Sequence, residues 1–409
     1  MAALRRWTAV PVILLVLLVA GCSSGGNGGG GGGSSEPIVI GASLPLTGEF
    51  SQPGTASQKG YAIWQEMVNA KGGLLGRQVQ LKIVDDASDQ NTVVSDYNRL
   101  ISQDKVDLLL GSFSSLLNIP ASAVAERNQM TYVCPSCGSP DMFNRGFKNI
   151  FFSQQATAPH QADLFADWVS KLPAAQRPKT AAYPAQDDPF AAPVVNGVRE
   201  KLEAAGIKTV YNKVYPPDTT NFDAIASAVK ASGAELVAQG AVFEDGVGLV
   251  RSFIKAGYSP KQFFQTSAPS NGDQYSKGVG AANTEGVFYA VSWSPDAKYP
   301  LNADFVQAYQ KKYGGVPEED AADAFAAAQV LQKAVESVGS LDDQTKLSQY
   351  LHSNKVDTIL GPLSWDERGA PQEAFILAQW QGGKSQIVLP QDQATAPSIV
   401  NPKPNWQQG

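Results

Sequence analysis

Val106-Asp-Leu-Leu-Leu-Gly-Ser-Phe-Ser-Ser115, followed by Ala121 to Arg127 and then by Met130-Thr-Tyr-Val133, decides the fold class. Residues 106–110 are a short apolar run of the kind that a strand covered on both faces requires. Ala121 to Arg127 reads as a helix and Met130 to Val133 as the next strand, which makes strand, helix, strand the repeating unit of a parallel sheet.

The alternation extends in both directions. Upstream, Ile38 to Ser43 reads as a buried strand, and Tyr61, Trp64, Met67 and Val68 mark a helix over 57–70 that Gly72-Gly73 ends. Val79, Leu81 and Ile83 alternate as a strand, and Val93, Val94, Tyr97, Leu100 and Ile101 mark a second helix. Downstream of Gln154 the pattern restarts, with helices near 161–172, 194–205 and 248–256 and strands near 180–183, 236–239 and 287–291. Helices over 303–313 and 321–338 follow, then strands over 358–363 and 375–380 around Asp366-Glu-Arg-Gly369. The fold class is therefore α/β, with two doubly wound parallel-sheet domains. Ligands of open parallel sheets bind beyond the carboxyl ends of the strands, so two facing domains predict a cleft between them.

The N-terminus gives an address. Arg5 and Arg6 precede the apolar stretch 10–20, and small residues lead to Cys22, which reads as a cleaved signal peptide. The apolar stretch is shorter than the roughly 20 residues that span a bilayer. Leu18-Val-Ala-Gly-Cys22 resembles the bacterial lipobox, which implies a lipidated Cys22 and an anchor on the outer face of the cytoplasmic membrane. Residues 23–35 are glycine, serine and one asparagine, a flexible tether with a reach of roughly 20 Å.

Composition narrows the partners. The net charge is −6, and losing Arg5 and Arg6 with the leader makes it −8, with no basic cluster in the body. Nucleic acid is therefore a poor partner. Cys134 and Cys137 can close a small disulfide loop in an oxidising compartment. His160 and His352 are the only histidines, so a zinc site lacks ligands; no Gly-x-Ser-x-Gly elbow is present, and no cofactor motif appears. Asp85-Asp86 and Asp187-Asp188 are neighbours whose side chains diverge on a strand, which argues against a catalytic carboxylate pair.

Five segments carry a family resemblance: Ile38-Val-Ile-Gly-Ala-Ser-Leu-Pro-Leu-Thr-Gly48, Asn69-Ala-Lys-Gly-Gly-Leu-Leu-Gly76, Asp85-Asp86, Gly111-Ser-Phe-Ser-Ser115 with Ile119-Pro-Ala-Ser122, and Gly361-Pro-Leu-Ser-Trp-Asp-Glu-Arg-Gly369. Together they resemble the leucine/isoleucine/valine-binding proteins, type I periplasmic binding proteins of ABC importers. The resemblance implies two lobes joined by three crossovers, hinge closure on a small ligand, no catalysis, a monomer, and delivery to a membrane permease; a ligand sensor signalling through a membrane receptor is the alternative. It divides the chain into leader 1–21, lipidated cysteine and tether 22–35, a first lobe of 36–156 plus 290–357, a second lobe of 157–289 plus 358–395, and a tail 396–409.

The same resemblance names site residues. Ser115 matches the serine that holds a ligand carboxylate, Ser136 a backbone contact, and Gly138 a threonine whose hydroxyl this chain lacks. Phe190 and Phe243 match aromatic residues of the cleft. Ser267 stands where amino acid binders carry the glutamate that pairs with the α-ammonium group. With that carboxylate absent, the expectation is a small carboxylate or amide, unless Asp187, Glu244 or Asp245 supplies the missing charge.

Overall fold

The computed structural model describes residues 36–407, so the leader, Cys22 and the tether lie outside the described residues. The first sheet is parallel and contains β1 (Ile38–Leu44), β2 (Val79–Asp85), β3 (Leu108–Leu110), β4 (Tyr132–Cys134) and β5 (Ile150–Phe152), in the order β2-β1-β3-β4-β5. The second sheet takes β6 (Thr180–Gln186), β7 (Lys208–Tyr215), β8 (Leu236–Gln239), β9 (Gln262–Gln265) and β10 (Val287–Val291). A separate hairpin of β11 (Val356–Thr358) and β12 (Gly361–Leu363) follows, and the chain returns to the second sheet as β13 (Ile376–Gln381) and β14 (Lys384–Leu389). The order there is β14-β13-β10-β9-β8-β6-β7, parallel except that β13 and β14 run antiparallel to their neighbours.

Two sequence expectations change here. Residues 358–363 are a tight hairpin rather than one strand, because the Thr358 hydroxyl accepts from the Leu360 amide at 3.0 Å and donates to the Gly361 carbonyl at 2.8 Å, closing the turn. The helix expected from Ala121 begins at Ser115, with Pro120 inside it. Its entry is held by Asn118, whose Nδ2 donates to the carbonyls of Ser112, Ser114 and Ser136 while Oδ1 accepts from the Ser112 amide.

The helices are α1 (Ser51–Ala70), α2 (Gln90–Ser102), α3 (Ser115–Arg127), α4 (Asp163–Ser170), α5 (Ala191–Ala204), α6 (Asp223–Ala231), α7 (Glu244–Ala256), α8 (Gly272–Val279), α9 (Asn302–Tyr313), α10 (Glu319–Val338) and α11 (Gln344–Ser353). On β1 the two-residue period divides the strand between two cores: Ile38, Ile40, Ala42 and Leu44 pack with α1, α9, α10 and α11, and Val39 with α2 and α3. The second sheet is likewise covered by α6, α7 and α8 on one face and α4 and α5 on the other.

The N-terminus of α10 is seated by glycine. Gly60 of α1 faces the Ala321 carbonyl so closely that a Cβ on it would stand 2.0 Å from the oxygen. The chain passes between the sheets after β5, after β10 and after β12. One side chain ties these three passages together, since Gln155 Nε2 donates to the Ser292 carbonyl at 2.7 Å and to that of Leu360 at 3.1 Å. Residues 396–407 lie against the second sheet, with Asn401 accepting from Gln262 and the Lys403 amide bonding to the Lys261 carbonyl.

Candidate functional site

The carboxyl ends of strands from both sheets converge on one cavity. β3 runs into Phe113, Ser114 and Ser115, β4 into Ser136 and Gly138, β6 into Asp188 and Phe190, and β9 into Thr266 and Ser267, and all of these line it. About 70 Å³ is open to the centre of a water-sized sphere, several times the roughly 10–15 Å³ that one water occupies on that measure. The space suits a small molecule. Phe113, Phe152, Phe190, Phe264 and Phe375 give it apolar and aromatic walls.

On the first-sheet side, α3 points its N-terminus at the cavity, where the first amides of a helix have no partner within it. Ser115 Oγ already accepts from the Ser139 amide at 3.1 Å. Ser114 is different: it is 5% exposed, lines the cavity, and its Oγ has no hydrogen-bond partner among the described residues. A buried hydroxyl left unsatisfied costs about 1–3 kcal/mol, so this oxygen is poised for a solute. The Ser136 turn is clamped by a Cys134–Cys137 disulfide. At Gly138 a Cβ would meet Gln161 Nε2 at 3.1 Å and Phe152 Cε1 at 3.2 Å, so the room a threonine needs is taken by two other lining residues.

The second-sheet side departs from expectation at Phe243. Phe190 lines the cavity, but Phe243 packs on the second core and its neighbour Val242 is the lining residue. Ser267 lines the cavity and brings no charge. None of Asp187, Glu244 and Asp245 lines it. Asp245 accepts from the Tyr215 hydroxyl at 2.7 Å and the Val242 amide at 2.9 Å, and burial pushes its carboxyl up to about 6. Asp188 does line it, and Oδ1 caps α5 by accepting from the amides of Phe190 and Ala191.

The acidic groups come from an element the sequence reading did not place here. Glu319, Asp320 and Asp323, all in the first two turns of α10, line the cavity. The Ser292 hydroxyl lies 2.9 Å from Glu319 Oε1 and 2.6 Å from Asp323 Oδ1, and Gln154 Nε2 donates to Asp323 Oδ2 at 2.6 Å. A hydroxyl has one hydrogen to give, so Ser292 donates to one carboxylate and accepts a hydrogen bond from the other acid. Burial, then the Glu319 charge, holds Asp323 well above the carboxylate range. Burial raises Glu319 as well, and one proton on the pair satisfies the geometry, with one acid donating to Ser292 and Ser292 donating to the other. Burial, with Glu319 and Glu318 nearby, pushes Asp320 up to about 8, and no hydrogen bond or ion pair engages it among the described residues.

A larger cleft, about 670 Å³ on the same measure, lies beside Gln155, Trp293, Leu360 and the segment 392–395. It takes in residues just after β5 and β10 but none of the carboxyl ends of β3, β4, β6 and β9 or the starts of α3 and α10, which converge on the smaller cavity, and that cavity is therefore the candidate site. The histidines take no part: His160 pairs with Asp163 at 3.3 Å, and the His352 ring nitrogens face the carbonyls of Lys148 and Asp366 rather than capping their own helix.

Known proteins share this architecture. Among curated relatives, Leu/Ile/Val-binding protein homolog 3 of Brucella melitensis is 28% identical, covering 85% of this chain and 92% of its own. An amino acid binding protein of Pseudomonas aeruginosa is 25% identical over 84% and 90%. The fold of a leucine binding protein from Thermotoga maritima superposes with a TM-score of 0.76 at 21% identity, covering 87% of this chain and 99% of that one. A solute binding protein from R. palustris, solved with benzoate, gives 0.77 at 18%, covering 89% and 98%. Residues 37–385 match the periplasmic binding protein family over most of the chain, and with two α/β sheets meeting at a shared cleft the chain belongs to that family, in the type I group of leucine/isoleucine/valine-binding proteins.

Proposed function

We propose that this protein is the solute-capturing lipoprotein of an ABC importer, held outside the cytoplasmic membrane by lipid on Cys22 and by the tether 23–35. It closes its two lobes on one small molecule and offers the closed shape to a permease. The observation that carries this reading is the cavity itself, because residues from both sheets line it and a solute there touches both lobes at once. Among the described residues no helix is long and apolar enough to cross a membrane, in keeping with attachment through the N-terminus.

Relatives bearing amino acid names and a structural neighbour holding benzoate leave the solute class to the residues of this cavity. The lining polar groups suit a small solute with an acceptor end under Ser114 and a nonpolar body among the phenylalanines.

A thermal-shift screen over amino acids, amines, amides, carboxylates and polyols, confirmed by calorimetry, tests the capture. A solute at a hundred times its Kd adds about 2.7 kcal/mol of apparent stability. In the producing cell, Cys22→Ser moves the protein from the membrane fraction to the medium; unchanged fractionation removes the anchor from the proposal.

A further inference from the structure

Glu319, Asp320 and Asp323 form the most highly charged part of the cavity wall, and among the described residues no lysine, arginine or histidine lines that cavity. Ion pairs elsewhere show that the chain has cations to place: Lys59 reaches Glu318 at 3.3 Å, one residue before the trio, yet none reaches the cavity. The trio therefore meets its neutralising charge from outside the protein or keeps protons. The start of a helix offsets a small part of the cost, since negative charge is modestly favoured there. That is small beside the penalty for burying several carboxylates together.

Three further features say what the missing group is. Asp320 accepts no hydrogen bond, so its oxygens are free for N–H donors. Among the described residues, no group of three or more His, Cys, Asp or Glu side chains is arranged to hold a metal ion, so the trio is not read as a metal site. The five phenylalanines of the wall supply apolar, aromatic surface, on which an organic cation is better accommodated than a bare inorganic one. At the α3 end, the unpartnered, 95%-buried Ser114 hydroxyl independently marks the cavity as built for a polar solute.

Resting on the solute-binding reading above, we propose that Glu319, Asp320 and Asp323 seat a cationic nitrogen, so that the solute is a small primary amine, amidine or guanidine with an apolar body and an acceptor group held at Ser114. The positive end is thereby bound by α10 of the first lobe, not by position 267 on the second. An ammonium is costly to strip of water and binds where several carboxyl oxygens replace that water, as they do here. When it arrives, the carboxyl groups that held protons release them to solvent, since a nearby positive charge favours their ionised form.

The test uses the whole chain with only the leader removed, and as probes leucine, lysine, 4-aminobutyrate, agmatine, isovalerate, isovaleramide and benzoate. Calorimetry at pH 7.5 in phosphate and in Tris reads affinity and proton release together. The expected result is that an amine-bearing probe binds and that its apparent enthalpy differs between the two buffers. Asp320→Asn weakens that probe at least tenfold, with the unfolding temperature of the empty protein unchanged or raised. Binding of isovalerate, isovaleramide or benzoate alone, equal in the parent and Asp320→Asn, overturns the cation seat and leaves solute capture standing. Silence of every probe in both proteins counts against both.

Discussion

Gln154 Nε2 donates to Asp323 Oδ2 at 2.6 Å and to the Pro135 carbonyl at 2.8 Å, so one amide joins the first passage between the lobes to the Ser136 turn and to the acidic start of α10. Both hydrogens of that amide are used. Truncation by Gln154→Ala leaves a buried carboxyl and a buried carbonyl short of a donor, and is expected to cost about 1–3 kcal/mol for each group left unpaired. Thermal unfolding of the empty protein reads the loss. Gln154→Glu, which restores the length but adds a fourth acid, is expected to be at least as destabilising at pH 8 and milder at pH 5.

Stability of the empty protein should fall as pH rises from about 4 to 8. The sign follows from the raised carboxyl groups: folded Asp320 keeps its proton up to about 8, whereas unfolded it ionises near 3.8, so in this window the native state binds more protons. Its contribution is complete below the unfolded value and is lost through the folded one. Each such group contributes at most about 1.4 kcal/mol per pH unit. The charges facing Asp320 are Glu318, Glu319 and Asp323 on its own helix and Asp188 from the second-sheet side, while Lys59 of α1 is engaged by Glu318. Unfolding temperatures from pH 5 to 8.5 should show a shallower slope in Asp320→Asn than in the parent; equal slopes would remove Asp320 from the account.

Ser114→Ala separates recognition from folding. The Oγ has no partner to lose, so the empty protein should be as stable as the parent or slightly more so. Affinity for whichever probe of the calorimetric panel binds the parent through an acceptor group should drop by about 0.5–1.5 kcal/mol, the net worth of one hydrogen bond. A fall in unfolding temperature without any change in affinity contradicts a solute role for this hydroxyl.

Gly60→Ala acts at a distance from the cavity. Its Cβ has nowhere to go but against the Ala321 backbone, so α1 and the start of α10 must separate. Overpacking of this kind costs about 1–3 kcal/mol. Because Asp320 and Asp323 flank Ala321, the same change should weaken solute binding, a combination that calorimetry and thermal unfolding of one variant detect.

How much of this was legible depended on whether a pattern's meaning is local. β1, β3 and β4 were readable because short apolar runs that stop at Pro45, Gly111 and Pro135 have few other uses, and the resemblance pointed to Ser115, Ser136, Gly138, Phe190 and Ser267, which lie on the cavity wall. β5 was missed because three residues, Ile150–Phe152, carry no period, and β7 because it is an edge strand with a largely exposed face. Pro120 concealed the first turns of α3, since a proline ordinarily opens a helix rather than sitting inside one. The acidic trio was the least accessible. Glu318-Glu-Asp-Ala-Ala-Asp323 has the composition of a solvated helix start, and contacts from elsewhere in the chain, with Gly60, Gln154 and Ser292, turn it inward.

Ser292 grips Gln155 through its carbonyl and the acids through its hydroxyl, on the segment that links the lobes. Joint and receptor thus share atoms. On the proposed closure, rotation of one lobe against the other re-aims the hydroxyl that Glu319 and Asp323 share. On that closure, lobe angle and protonation are expected to be linked, so a substitution that stiffens the connection should alter the pH dependence of solute binding.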